Sequence, residues 1–257
     1  MEKYSIGFIG GGRITKIMLK AFENRQITFP SVKVFDINTG VTDSLQKEFP
    51  FITVVNDYLS VLNSSITFLA LHPPMLKEFL ESRTGNNKNN SIIISLAPKI
   101  TIEKISGKME TDNVARLIPN ATSYINEGYN PITFSQKFDE KAKSLALNLL
   151  ENLGHTFEVA EPKLEAYAIL SAMLPTYFWF QWNQLEEIGA QIGLTEEESR
   201  NSIKNALIAA IHLFFESGLT FQQADNLIPS KPISENNQQI KEIYQTKLIE
   251  LFNKIKP

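Results

Sequence analysis

Three consecutive glycines, Gly10, Gly11 and Gly12, separate an apolar stretch over residues 4–9 from an amphipathic one that starts at Arg13 and Ile14. Strand, glycine turn and helix together are the layout that holds a dinucleotide pyrophosphate. One glycine makes the tight turn, a role that falls to Gly10. A second, Gly12, lets the backbone approach the phosphates without a Cβ in the way. The helix that follows offers free N–H groups and the positive end of its dipole to the anion. The third position of the G-x-G-x-x-G pattern is Thr15 instead of glycine. A strand–helix turn that binds nothing is the plainer alternative for the same residues. Asp36 closes the second apolar stretch. A carboxylate there accepts hydrogen bonds from ribose hydroxyls and repels a 2′-phosphate, which favours NAD. Asn38 beside it offers a neutral donor that tolerates the phosphate, and no lysine or arginine lies between Asp36 and Lys47. Asp36 also suits a turn.

Other chemistries find little support. His72, His155 and His212 are scattered, none at metal-ligand spacing from another, so no metal is expected. The chain has no cysteine, which removes disulfides and thiolate catalysis and suits a reducing cytoplasm. No G-x-S-x-G is present. The run Glu196, Glu197, Glu198 reads as a solvated helix start, and no catalytic acid or base stands out.

The elements that position the glycine turn alternate. Short apolar stretches at 31–36, 51–55, 66–71, 91–95 and 113–118 read as strands. Helical patterns lie between them at 42–48, 57–62, 75–81 and 101–107, with a polar loop at 84–90. Near-continuous apolar strands alternating with helices predict an α/β fold of the Rossmann type, a doubly wound parallel sheet covered on both faces. Ligands of such sheets sit at the carboxyl ends of the strands. Ala70, Leu71, His72, Pro73 and Pro74, residues 96–98, and Pro119 with Asn120 therefore face one crevice with the glycine turn and Asp36. Two further strands are expected at 132–134 and 155–159 around a helix at 139–152. Beyond Glu161-Pro162 the pattern turns helical: 163–189, 195–217, 220–227 and 235–255. The expected division is a dinucleotide-binding domain over 1–161 and an all-helical domain over 162–257.

Composition sets the outer bounds. With 257 residues, 43% hydrophobic and 21% charged, the chain reads as an ordinary globular protein. A net charge of −3 gives no basic surplus for nucleic acid or an anionic membrane. No basic segment and long apolar core open the chain, so no export signal is expected. Residues 166–185 carry no formal charge but too many polar groups for a lipid span. A helix apolar on most faces suggests burial against a second subunit instead. The aromatic cluster at 177–182 fits packing there, or a wall over a bound nicotinamide.

With these residues placed, the chain resembles the pyrroline-5-carboxylate reductase family over nearly its whole length. The resemblance rests on Gly7-Phe-Ile-Gly-Gly-Gly-Arg-Ile14, Ala70-Leu-His-Pro73, Val114-Ala-Arg-Leu-Ile-Pro-Asn-Ala121, Glu127-Gly128 and Val159-Ala-Glu-Pro162. It implies NADH or NADPH as cofactor, a Rossmann domain, and a helical domain that pairs two copies and permits larger assemblies. The implied reaction is reduction of a cyclic imine carboxylate to proline. Two motifs differ. Where the family has SGSGPAY, this chain has Ser171-Ala-Met-Leu-Pro-Thr-Tyr177, and where the family has SPGGTT it has Pro229-Ser-Lys-Pro-Ile-Ser-Glu235. Ser171, Thr176 and Ser234 are the hydroxyls left as substrate candidates. Reduction of another imine or of a ketone, or dinucleotide binding without catalysis, are the alternatives.

Overall fold

The computed structural model describes residues 4–83 and 91–257. The polar loop expected at 84–90 lies outside the described residues. The chain packs as two compact units, one of residues 1–172 with 252–257 and one of residues 173–251.

The first unit is built on an eight-stranded sheet in the order β3-β2-β1-β4-β5-β6-β7-β8. Strands β1 (Ile6–Ile9), β2 (Val32–Phe35), β3 (Thr53–Val54), β4 (Ile66–Leu69), β5 (Ile92–Ser95) and β6 (Val114–Leu117) are parallel. All four residues of β1, β4, β5 and β6 are buried, as a sheet with both faces covered requires. Helices α1 (Arg13–Asn24), α2 (Thr39–Glu48), α3 (Tyr58–Leu62), α4 (Pro73–Ser82) and α5 (Ile102–Met109) link these strands. One core layer joins Met18, Leu19 and Phe22 of α1 to Phe8 and Phe68 of the sheet. The other joins Leu76 and Leu80 of α4, and Ile105 and Met109 of α5, to Ile9, Leu69 and Ile93.

The sheet departs from the all-parallel expectation at its far edge. Strand β7 (Gly128–Phe134) runs antiparallel to β6, with Arg116 opposite Thr133. Strand β8 (Gly154–Glu158) is parallel to β7 and likewise reversed. Strand β7 starts four residues before the expected 132 because Gly128-Tyr-Asn-Pro131 carries no apolar run, yet pairs with β8 along its length. Helix α6 (Glu140–Leu150) lies between them in sequence, capped by the Asp139 side chain accepting the Ala142 N–H.

The uninterrupted helix expected over 163–189 is not formed. A short α7 (Leu164–Tyr167) passes into one π turn at Ala168–Ala172 and then a 3-10 turn at Leu174–Tyr177, and regular helix resumes only in α8 (Trp179–Gln191). Pro175 supplies the reason: it lacks an N–H and its ring clashes with the preceding turn. Smaller shifts affect the starts of helices. Asn38 caps α2 through the Gly40 N–H, and α4 starts on Pro73, where a missing N–H costs nothing.

The second unit is helical: α8, α9 (Glu196–Glu216), α10 (Phe221–Asp225) and α11 (Asn237–Ile255), the last continuing into the first unit from Phe252. Thr195 and Glu198 form a capping box, and Gly218 follows α9 with a left-handed φ of 77°. Helices α8 and α9 meet closely where Gly189 faces Ser199. Most large apolar side chains of this unit are exposed within one chain, including Phe180, Ile192 and Phe215 at 68%, 72% and 76%. Among the described residues no helix is long and apolar enough to cross a membrane.

Candidate functional site

Strand β1 lies between β2 and β4, so the chain order reverses direction across β1. The carboxyl ends of the strands at that point are where open α/β sheets open a crevice. The turn that leaves β1 sits there and is firmly built. The Gly10 N–H donates to the Phe35 carbonyl at 2.7 Å, and the Ala70 N–H donates to the Ile9 carbonyl at 2.8 Å. Gly10 has φ of 106°, and a Cβ on it would lie 2.3 Å from the Ala70 carbonyl oxygen. Only glycine fits that place. Thr15, in the place of the third glycine, is fully buried, and its hydroxyl donates to the Gly10 carbonyl at 2.6 Å. The substitution therefore fastens the turn from below.

Gly12 differs from Gly10. Its backbone is extended, it is exposed, and a Cβ there would meet no protein atom within 4 Å. Nothing in the protein demands glycine at this position, so any requirement must come from what occupies the space outside it. Gly12 is the N-cap of α1 and caps it with no side chain, and there is no acid in the first turn. The opening N–H groups of α1 thus remain free to meet an anion. Arg13 is exposed and Ile14 half-buried beside them.

Asp36 turns its carboxylate back onto this loop. One oxygen accepts the Gly11 N–H at 2.8 Å and the other the Asn38 N–H at 2.9 Å. These bonds hold the carboxylate at the turn, and each oxygen keeps a lone pair for an outside hydroxyl. The ribose and turn readings of Asp36 are thus compatible. Asn38 has its side-chain oxygen engaged by Gly40.

The remaining crevice residues divide by their partners. Ala70 and Leu71 are half-buried, His72 is exposed at the N-cap of α4 without a side-chain cap bond, and Pro73 follows. Pro119 is half-buried and Asn120 buried. The Asn120 side chain is a staple: its oxygen accepts from the Thr122 N–H and hydroxyl, and its Nδ2 donates to the Ser171 carbonyl at 3.2 Å. It joins the end of β6 to the π turn. Ser171 donates its hydroxyl to the Tyr167 carbonyl at 2.6 Å, and Thr176 donates to Met173 at 2.7 Å. Ser234 opens a 3-10 turn before α11. Ser171 belongs to the first unit, and Thr176 and Ser234 to the second.

One group near these loops escaped the sequence reading. Arg116, fully buried in β6, contacts the Oε1 atoms of Glu161, at 3.0 Å, and Glu165. The Glu161 oxygen also accepts the Ile102 N–H at 2.8 Å, and the Glu165 oxygen the Lys99 N–H at 3.0 Å. Two carboxylates thereby tie the β5–α5 connection to the segment after β8. Arg116 Nε and Glu165 Oε2 are buried without a partner among the described residues. The only sequence signal was an arginine inside an otherwise apolar strand.

Comparisons with known proteins point one way. Residues 5–99 match the family model described as NADP oxidoreductase, coenzyme F420-dependent. The pyrroline-5-carboxylate reductase of Corynebacterium melassecola is 23% identical over 231 residues, covering 88% of this chain and 83% of that protein. The chain is thus similar in sequence to pyrroline-5-carboxylate reductases. Two solved structures of this kind share the fold over 99% of the chain. That from Coxiella burnetii has a TM-score of 0.68 at 23% identity, covering 95% of its own chain. That from Plasmodium falciparum, described with NADP bound, has a TM-score of 0.79 at 16% identity, covering 96% of its own chain.

Proposed function

We propose that this chain is an NADH- or NADPH-dependent reductase that transfers hydride to a cyclic imine such as pyrroline-5-carboxylate, giving proline, in the cytoplasm. The observation that carries the reading is the open space beyond Gly12, at an uncapped helix N-terminus held in place by Gly10 and Thr15. A pyrophosphate fits such a place by charge and by size. The reading makes 1–161 the dinucleotide-binding domain. Gly10, Gly11, Gly12, Arg13 and Ile14 hold the pyrophosphate side. Asp36 and Asn38 meet the adenosine ribose. Ala70, Leu71, His72 and Pro73 border the cofactor, and Pro119 and Asn120 lie toward the nicotinamide. When bound, the reduced nicotinamide supplies a hydride from its C4 to the carbon of a C=N bond. The protein orients the reacting atoms and no side chain needs to change its proton state, because the imine nitrogen takes its proton from the substrate's own protonated form or from water. Ser171, Thr176 and Ser234 are the substrate hydroxyls of this reading.

The helical domain, 162–257, serves as the pairing surface of a homodimer. Its support is the density of exposed apolar side chains over α8 to α11, far more than a lone soluble unit leaves uncovered. The bulky Leu174 and Pro232, which occupy glycine positions of the resembling motifs, favour a second reading in which the substrate is a different imine or a ketone.

The test is consumption of NADH and NADPH with pyrroline-5-carboxylate and a panel of cyclic imines and ketones, with proline measured as product. Substrate-dependent oxidation matched by proline supports the proposal. Turnover of another compound alone moves the reading to that substrate, and cofactor binding with no turnover on any of them refutes a reductase.

A further inference from the structure

A cavity of about 1250 Å³ opens beside α4 and α5, lined only by residues of the first unit. Pro73, Pro74 and Pro98 on its lining also belong to the strand-end crevice, whereas its lysines have no role there. Five lysines line it: Lys77, Lys99, Lys104, Lys108 and Lys254. The side-chain carboxylates on the same lining are Glu81 and Glu103, Pro257 adds the terminal carboxyl group, and Glu81 is already 3.7 Å from Lys77. The chain as a whole is acidic, so this is a local reversal of its charge. Leu80, Ile100, Ile255 and Pro98 give the same cavity an apolar floor.

Lys99 adds an observation of a different kind. Its φ is 74°, a left-handed conformation that lysine rarely adopts. The Lys99 N–H is held there by Glu165, which is itself fixed by the buried Arg116. Lysine stands where glycine or asparagine would relieve the strain, and Lys99 is part of the cavity lining.

We infer that this cavity is a binding site for a small organic dianion with an apolar body, separate from the dinucleotide turn. Two or more negative charges meet the lysine rim, while the apolar part covers Leu80 and Ile100. The volume exceeds the range of ordinary small-ligand pockets slightly and leaves room for solvent. Attraction at an exposed rim is screened, so binding weakens as salt is raised.

Naphthyl phosphate carries both features. Inorganic phosphate carries charge without the apolar body, and naphthol the reverse. Titration calorimetry on the full chain is expected to show saturable binding of naphthyl phosphate, at least tenfold tighter than either control. In the double variant Lys104→Glu/Lys108→Glu, on exposed positions of α5, affinity should fall at least tenfold. Gly12→Val should leave it unchanged. No saturable binding of naphthyl phosphate, or equal affinity in the charge-reversed variant, overturns the inference. So does loss on Gly12→Val alone, which would place the phosphate at the α1 turn.

Discussion

The two units of this molecule finish their folding differently. In the sheet unit nearly every large apolar side chain is covered by the chain itself, and the turn after β1 is held by bonds from Phe35, Asp36 and Thr15. In the helical unit the buried residues reduce to Gly189 and Ser199, while aromatic and aliphatic side chains on all four helices face outward. One unit holds its own core and presents a small polar opening. The other leaves its apolar surface uncovered within one chain, the surface the proposed dimer would cover. A site built at the strand ends is therefore held within one chain, whereas on the proposed dimer whatever the helical unit contributes would depend on association.

The contrast can be broken first in the sheet unit. Arg116→Met leaves Glu161 and Glu165 without their shared cation. Breaking a buried pair in this way costs about 3–5 kcal/mol, so thermal unfolding should show a fall of roughly 10 °C or more, by the usual conversion for a chain of this size. A fall of a degree or two would mean the carboxylates are not held by Arg116. Gly10→Ala comes next. Its Cβ meets the Ala70 carbonyl and its φ is left-handed, so a loss of about 1–3 kcal/mol is expected from denaturant midpoints. An unchanged midpoint would contradict the turn geometry.

In the helical unit, Ile211→Asp places a charge among exposed apolar side chains of α9. Sedimentation should show dimer association weakened in favour of monomer, with Kd raised at least tenfold, about 1.4 kcal/mol. No concentration dependence in the parent protein would remove the contrast altogether. The smallest effect concerns the α9 capping box. Bonds from the Thr195 N–H and hydroxyl hold the Glu198 carboxyl below its ordinary 4.5. A depressed pKa stabilises the folded state above the unfolded value, and that gain disappears as pH falls through the folded one. The melting difference between the parent and Glu198→Gln should therefore be present at neutral pH and close below pH 4.5. The group is exposed, so the difference is smaller than any above.

What the sequence made legible follows the same division. Strands β1, β4, β5 and β6 announce themselves because burial on both faces leaves near-continuous apolar runs. Asp36 and Gly10 were legible because local turn chemistry dictates their types. Strand β7 was read short because Tyr129 and Asn130 carry no strand pattern, and its reversal is set by pairing with β6 alone. Hydropathy carried the helix reading straight through Pro175, where a single missing N–H decides otherwise. The Arg116 group was invisible because its partners lie 45 and 49 residues away. Gly12 was read as a place of close phosphate approach, and the folded chain leaves the space beside it open.

That space gives the most direct measurement. NADH titrated against the parent protein and against Gly12→Val, with melting recorded for both, separates binding from folding. The account predicts saturable binding by the parent, loss of at least a hundredfold in affinity in the variant, and melting temperatures that agree without ligand. Equal affinities in the two proteins, or no binding of NADH or NADPH by the parent, would contradict it.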